Sequence, residues 1–252
     1  MSLQVPDWIM FRCRHRQLLS YPLDAYLRDL PKRPEFRLRG EEQRRGYVAS
    51  WEIRDDHTLW LTGLETRTPD DGPDPGASLV FPSGGPVRAT WVSQPLWTPD
   101  LEQKRFSLLG NGTTYAHESY LSVWDGRLVM VEEVDGKTNR RIGGELTPHL
   151  EQLFGPEEGS FLRAAFGDPD DAAPRLVYAD WLDERHDPRG EVVRVAERVR
   201  RLDPDDAARE HSTHRDLLRR GLNHWLWARL LGYHDLDTGW LLPLLEAGDA
   251  TY

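Results

Sequence analysis

The hydrophobic period of this chain changes once, near Gly155-Pro156, from an alternation of two residues to a spacing of 3.6. Strands disappear beyond that point, and a domain boundary is expected there. The expected class is therefore α+β. A mostly antiparallel α+β domain spans 1–155, and an acidic all-α domain spans 156–252.

Within the first stretch, Gly46–Ile53 and Thr58–Leu64 are rich in β-branched and aromatic residues, and four polar residues, Arg54–His57, separate them at hairpin length. Trp51 and Trp60 are expected to face each other across that hairpin. Tyr120–Trp124 and Leu128–Val134 form a second pair around Asp125-Gly126, a strong two-residue turn signal. Ser78–Phe81, Val87–Val92 and Arg105–Leu109 read as further strands, and Gly84-Gly85 and Gly143-Gly144 as turns. Leu23, Tyr26, Leu27 and Leu30 recur at helical spacing in Pro22–Leu30, which stops at Pro31.

The second stretch predicts helices over Glu158–Phe166 and Ala172–Arg185, then one opened by Asp187-Pro188 with the apolar stripe Val192, Val195, Ala196 and Val199. Asp is a favoured N-cap and Pro suits the first helical position. Asp203-Pro204 repeats the device for a helix running toward Arg220, with Gly221 as a kink before Trp225–Leu231 and Gly232 as a stop. Trp240–Leu245 is a last short apolar segment.

Charge narrows the partners. The net charge is −10, and it is uneven: residues 1–150 carry 19 basic and 21 acidic side chains, against 13 and 21 for 151–252. Phosphate neutralisation needs a basic face, so nucleic acid is disfavoured. The local exception is Lys32, Arg33, Arg37, Arg39, Arg44 and Arg45, balanced by Glu35, Glu41 and Glu42. No apolar run approaches a membrane span. The N-terminus lacks a signal-type apolar segment, and the single Cys13 excludes an internal disulfide, so a cytoplasmic location is expected.

The densest polar group is Arg175, Tyr178, Asp180, Trp181, Glu184, Arg189 and Glu191. Asp180 and Glu184 share a helix face, as do Val177 and Trp181. Arg189 can fold back toward Asp180 or Glu184 and pin the turn between helices. The alternatives are a binding surface, or paired carboxylates acting as acid and base. Glu210, His211 and His214 lack an evident third metal ligand, and Cys13 with His15, placed on one side of a strand, lacks an orienting group. Of ten tryptophans, Trp97 and Trp227 are the expected exposed anchors.

The run Asp168–Glu191, DPDDAAPRLVYADWLDERHDPRGE, resembles the bacterial repeat-companion domain family over about Glu158 to Leu202. One extra residue precedes Pro174, Asp183 stands where Glu is usual, and no leucine-rich repeat accompanies the module. The resemblance implies a small helical, non-enzymatic unit. Tyr21–Tyr26, Arg33–Phe36, Arg45–Ile53 (RGYVASWEI) and Phe81–Trp91 resemble a second, uncharacterised bacterial family, which implies a compact α+β domain and no known chemistry.

The expected function is that of a non-catalytic protein-binding or regulatory protein, immunity-like in kind, whose acidic surface meets a protein with a basic one. Its binding residues are Arg45, Trp97, Tyr178, Asp180, Trp181, Glu184, Arg189 and Trp227, with no cofactor and no metal. The alternative is an enzyme of unknown reaction with a site in the β-rich stretch near Arg45, Glu52 and Trp91.

Overall fold

A computed structural model describes residues 5–32, 34, 36, 45–66, 74–100, 104–106, 113–138, 140–168, 170–214, 216–218 and 224–233. The chain is α+β, with strands first and helices after. It divides into two compact units, Met1–His149 and Leu150–Tyr252. Of the basic cluster, Arg33, Arg37, Arg39 and Arg44 lie outside the described residues, as does Trp240–Leu245.

The first unit opens with a hairpin, β1 (Asp7–Phe11) and β2 (Arg14–Leu18). Its two turn residues, Arg12 and Cys13, both sit at positive φ, 52° and 59°, which matches the twist of a tight hairpin. Cys13 is thus an exposed turn residue and does not share a strand side with His15. Helix α1 (Pro22–Asp29) buries Leu23 and Leu27, as its spacing predicts, and returns the chain to β3 (Val48–Ile53), which runs parallel to β1. β4 (Leu59–Glu65) and the short β5 (Val87–Arg88) complete a sheet of order β2-β1-β3-β4-β5. A register shift between Ser50 and Trp51 places Glu52 opposite Trp60. Trp51 is therefore buried and meets Trp91, while Trp60 carries the Arg54 guanidinium on its ring. The expected Trp51–Trp60 couple does not form.

The second sheet has the order β11-β10-β9-β6, all antiparallel: β6 (Gln94–Pro99), β9 (His117–Trp124), β10 (Arg127–Asp135) and β11 (Arg140–Leu146). A small pair, β7 (Lys104–Phe106) and β8 (Thr113–Tyr115), lies between β6 and β9 in sequence. Asp125 and Gly126, at φ 47° and 69°, make the β9–β10 turn. A Cβ on Gly126 would lie 2.6 Å from the Ala89 carbonyl oxygen, so glycine is required twice over. Leu59 N–H to Gly126 O ties the turn to β4, Leu128 N–H to His57 O ties β10 to the β3–β4 connection, and Gly126 N–H to Val92 O ties the turn to the β5–β6 connection. At another corner Leu19 N–H donates to Trp97 O. Leu61, Leu96, Leu121, Val123 and Leu128 fill the shared core. Three expectations fail here. Ser78–Phe81 is not a strand, since a 3₁₀ turn occupies Gly76–Leu79; Gly143-Gly144 lies inside β11; and of Val87–Val92 only Val87–Arg88 is strand, because the chain turns where Val92 N–H donates to Ala89 O.

α2 (His149–Phe154) begins on the last residue of the first unit; in the second unit it is followed by α3 (Pro156–Gly167), with Gly155 at φ 82° between them. α4 (Ala173–Glu184) ends with His186 at φ 57°; His186 N–H donates to Asp183 O and Asp187 N–H to Leu182 O, the paired bonds of a Schellman cap. α5 (Arg189–Arg201) buries Val192, Val195, Ala196 and Val199. α6 (Pro204–Thr213) is capped by the Asp203 carboxylate, which accepts from Asp205 and Asp206 N–H. α6 stops at Thr213, but residues 216–218 are again helical, with Leu218 N–H donating to His214 O, so the helical course toward Arg220 is interrupted at His214; Gly221 lies outside the described residues. α7 (Trp225–Leu230) follows, with Gly232 at φ 73° beyond it. Arg175 and Glu197 form a buried pair at 2.5 Å, joined by Tyr233.

Candidate interaction surface

α4 has two chemically distinct faces. Tyr178, Ala179 and Leu182 turn inward and are fully buried. Val177, Asp180, Trp181 and Glu184 turn outward, because positions three and four apart stack on one side of a helix. Val177 is 55% exposed, an uncommon placement for a β-branched apolar residue. Trp181, half-buried, packs at a tilt against Phe161 of α3 with ring centroids 5.2 Å apart. The Arg185 guanidinium lies 3.9 Å above the Trp181 ring, and both Trp181 Nε1 and Arg185 donate to the Glu157 carboxylate. Asp180 is exposed and paired with Arg194, which also reaches Asp183. Glu184 is exposed at the C-terminal end of the same face.

Beneath this face lies a polar junction centred on Glu158. Its carboxylate accepts from the Tyr178 hydroxyl at 2.5 Å and from Arg189 Nη1 at 2.8 Å. Trp227 Nε1 donates to the same Tyr178 oxygen at 3.0 Å. Arg189 also grips Asp187 with Nε and Nη2, the latter at 2.7 Å, and the Arg189 backbone N–H donates to Asp187 Oδ1. Burial would raise the Asp187 carboxyl, but these Arg189 contacts hold it below the usual range. Burial, and then Glu158, push the Tyr178 phenol well above its ordinary value, so it remains a donor. At the edge of the junction His224 caps α7, its Nδ1 accepting from Trp227 N–H at 3.2 Å. Burial, reinforced by Arg189, lowers the His224 imidazole.

No protein-family model, curated protein or solved structure matches the chain.

The site residues expected from sequence are thus distributed unevenly. Tyr178, Trp181, Arg189 and Trp227 converge on the α3–α4–α5–α7 packing, but in separate roles. Arg189 does not reach Asp180 or Glu184. The Schellman cap turns the chain so that Asp187 and Glu158 become its partners, and Arg194, one helical turn further on, takes Asp180. Trp227 is 1% exposed and is no surface anchor, since its α7 packs inward with Leu226 and Leu230. Trp97 is half-buried in β6 against Tyr115.

Arg45 is held between the rings of Tyr21 and Tyr47, at 3.7 and 4.8 Å, with Nη1 2.9 Å from Asp7. Asp7, at 0% exposure, also accepts from Ala49 N–H and Trp51 Nε1. Glu52 alternates to the face opposite Trp51 and Trp91 and pairs with Arg54, so Arg45, Glu52 and Trp91 do not share one site. Among the described residues, no hydrogen bond joins the ring of His15, His57 or His117 to a serine, to Cys13 or to a carboxylate. Among the same residues no group of three or more His, Cys, Asp or Glu is placed to hold a metal, and His214 pairs with Glu210.

Sequence reasoning missed Glu157, Glu158 and Phe161. They sit one helix earlier, and only the α3–α4 packing brings them under Tyr178 and Trp181. The i, i+3 relation of Glu158 and Phe161 was the available signal.

Proposed function

We propose that this chain is a non-catalytic protein-binding protein, regulatory or immunity-like in role, and that the outward face of α4 contacts a partner with a basic surface. The observation that carries the reading is Val177, 55% exposed one helical turn before Trp181, with Asp180 and Glu184 on the same helix face. An aromatic anchor with an apolar neighbour and a charged rim is the composition of an interface centre. The excess of acidic over basic side chains in 151–252 would steer a basic partner toward it. Glu158 and Arg189 support this face from below, and the exposed Glu157 ties α3 to Trp181 and Arg185 at its edge. Membership of the helical unit in the repeat-companion family belongs to the same proposal, as does a cytoplasmic site of action. No helix among the described residues is long and apolar enough to cross a membrane.

The test is site-specific photocrosslinking of the full chain in extract of the native host. One benzoylphenylalanine replaces Val177; a control replaces Arg209, whose side chain is 77% exposed on α6. The expected result is a discrete, salt-sensitive adduct to a basic protein at 177 only, lost on Trp181→Ala. Equal labelling at the two positions rejects the surface.

A further inference from the structure

Trp97, Tyr115, Glu118 and Tyr120 assemble at one end of the second sheet, within the first unit. Trp97 and Tyr120 are register partners across β6 and β9, so their side chains stand on the same face. Glu118 lies two residues before Tyr120 and shares that face. Its Oε2 accepts from the Tyr120 hydroxyl at 3.2 Å. The Tyr115 ring meets the Trp97 ring edge-on, with centroids 6.2 Å apart at 82°. Beside the other carboxylate oxygen lies the bare backbone of Gly136: a Cβ there would come within 3.2 Å of Glu118 Oε1 and 2.1 Å of the Tyr115 carbonyl oxygen. One oxygen of Glu118 is thus tethered by a phenol, and the other lies where the Gly136 and Tyr115 backbones approach too closely for any side chain at 136.

The electrostatics of Glu118 differ from those of its neighbours. Glu132 has Arg141 beside it, and Asp135 accepts from the Thr138 and Lys137 backbone N–H groups. Around half-buried Glu118, the described groups that favour its charged form are the Tyr120 hydroxyl and the Trp97 indole, both neutral. Among the described residues no Lys, Arg or His forms an ion pair with it. Burial accordingly pushes its carboxyl up, and burial, with the Glu118 charge second, raises the Tyr115 phenol. A half-buried carboxylate without a cation is costly unless something supplies one.

We propose that Trp97, Tyr115, Glu118 and Tyr120 form a recognition site for an organic cation, an ammonium or guanidinium head group. The three rings offer negative π-faces and Glu118 supplies the counter-charge. The site stands apart from the α4 face and does not depend on it. A metal ion fits it poorly, because one carboxylate is far from the several ligands a cation such as Ca²⁺ needs. An anion would be repelled by Glu118. The head group has two sources, a free small amine or the side chain of a Lys or Arg in another protein, and both place the same chemistry in the site.

The experiment is a two-dimensional NMR titration of the full chain, following the Trp97 indole N–H. Four probes are used: choline, N-acetyl-arginine methylamide, N-acetyl-lysine methylamide, and the neutral N-acetyl-norleucine methylamide. Saturable shifts with at least one cationic probe by about 10 mM, and none with norleucine, are expected. Choline as the tightest binder identifies a small-amine site; either amino-acid amide as the tightest identifies a protein side chain. Glu118→Gln is expected to weaken binding about tenfold at unchanged melting temperature, and Trp97→Leu to weaken it severalfold. No saturation with any cation, equal shifts with norleucine, or undiminished binding in a folded Glu118→Gln protein overturns the proposal. Should that variant fail to fold, the comparison of cationic and neutral probes on the unsubstituted chain decides alone.

Discussion

Gly190 lies so close to Asp183 that a Cβ at position 190 would fall 2.1 Å from the Asp183 carboxylate and 2.9 Å from the Ala179 carbonyl oxygen. The carboxylate can swing aside, but the backbone oxygen cannot move without shifting α4. Gly190→Ala is therefore expected to destabilise the helical unit by about 1–3 kcal/mol, the usual cost of overpacking a close contact. Urea unfolding followed by far-ultraviolet circular dichroism measures it. An unchanged midpoint would show that α5 can move away from α4 at little cost.

His186 terminates α4 in the left-handed region, which side chains with a Cβ adopt at a cost. His186→Gly is expected to raise stability by about 0.5–1 kcal/mol, the relief of that strain less the added freedom of the unfolded chain. His186→Ala keeps the strain and serves as the control. A gain equal in both would assign the effect to the imidazole and not to the backbone.

Arg189 is the shared partner of Glu158 and Asp187, with about a third of its side chain in solvent. Arg189→Ala leaves Glu158, mostly buried, without its cation. The expected loss is about 1–3 kcal/mol, above the roughly 0–1 kcal/mol of a surface pair. The partner can be assigned by a double-mutant cycle: coupling to Glu158→Gln is expected, and coupling to Asp180→Asn is not. The reverse pattern would contradict the junction described for α3, α4 and α5.

His224 gives the helical unit a pH dependence of definite sign. Its imidazole is lowered in the folded chain from the ordinary value of 6.5, first by burial. Above 6.5 the group is neutral in both states and its cap on Trp227 is intact. Below 6.5 the unfolded chain takes up the proton first, so stability falls as pH drops toward the folded-state value. Glu158 opposes this trend and Arg189 reinforces it. His224→Asn keeps a cap acceptor without the titration. Melting temperatures from pH 7.5 to 5 are expected to decline less steeply in this variant than in the parent.

The helical unit was more legible than the sheets because its signals are local. Asp203 caps α6, Gly232 follows α7, and the apolar stripe of α5 is buried, each within a few residues of the text that announces it. The first strand was hidden by an inversion. Asp7 occupies the buried phase of β1 and Trp8, 39% exposed, the outer phase, so the alternation that marks a half-buried strand is broken where the strand begins. The partner that makes a buried Asp7 tolerable, Arg45, lies far along the chain. Trp97 was marked by its residue type alone. Tyr115, Glu118 and Tyr120 carried no signal, because their convergence depends on the β6–β9 register and a hairpin between those strands. The turn geometry beyond α4 redirected Arg189, and the i, i+4 rule does not extend across a Schellman cap.

The Asp125-Gly126 turn has a consequence for how the first unit unfolds. Gly126 bonds to Val92 and Leu59, and Leu128 just beyond it to His57, so the Leu59 amide of β4 finds its acceptor at the tip of the second sheet's central hairpin. The start of β4 completes its bonding only when that hairpin has arrived. Local opening of β9 and β10 would expose the Leu59 amide in the same event, and its hydrogen exchange is expected to share the opening free energy of that hairpin. Contacts between such distant segments also make folding slow for a domain of this size. The turn makes the start of β4 and the β9–β10 hairpin one cooperative body.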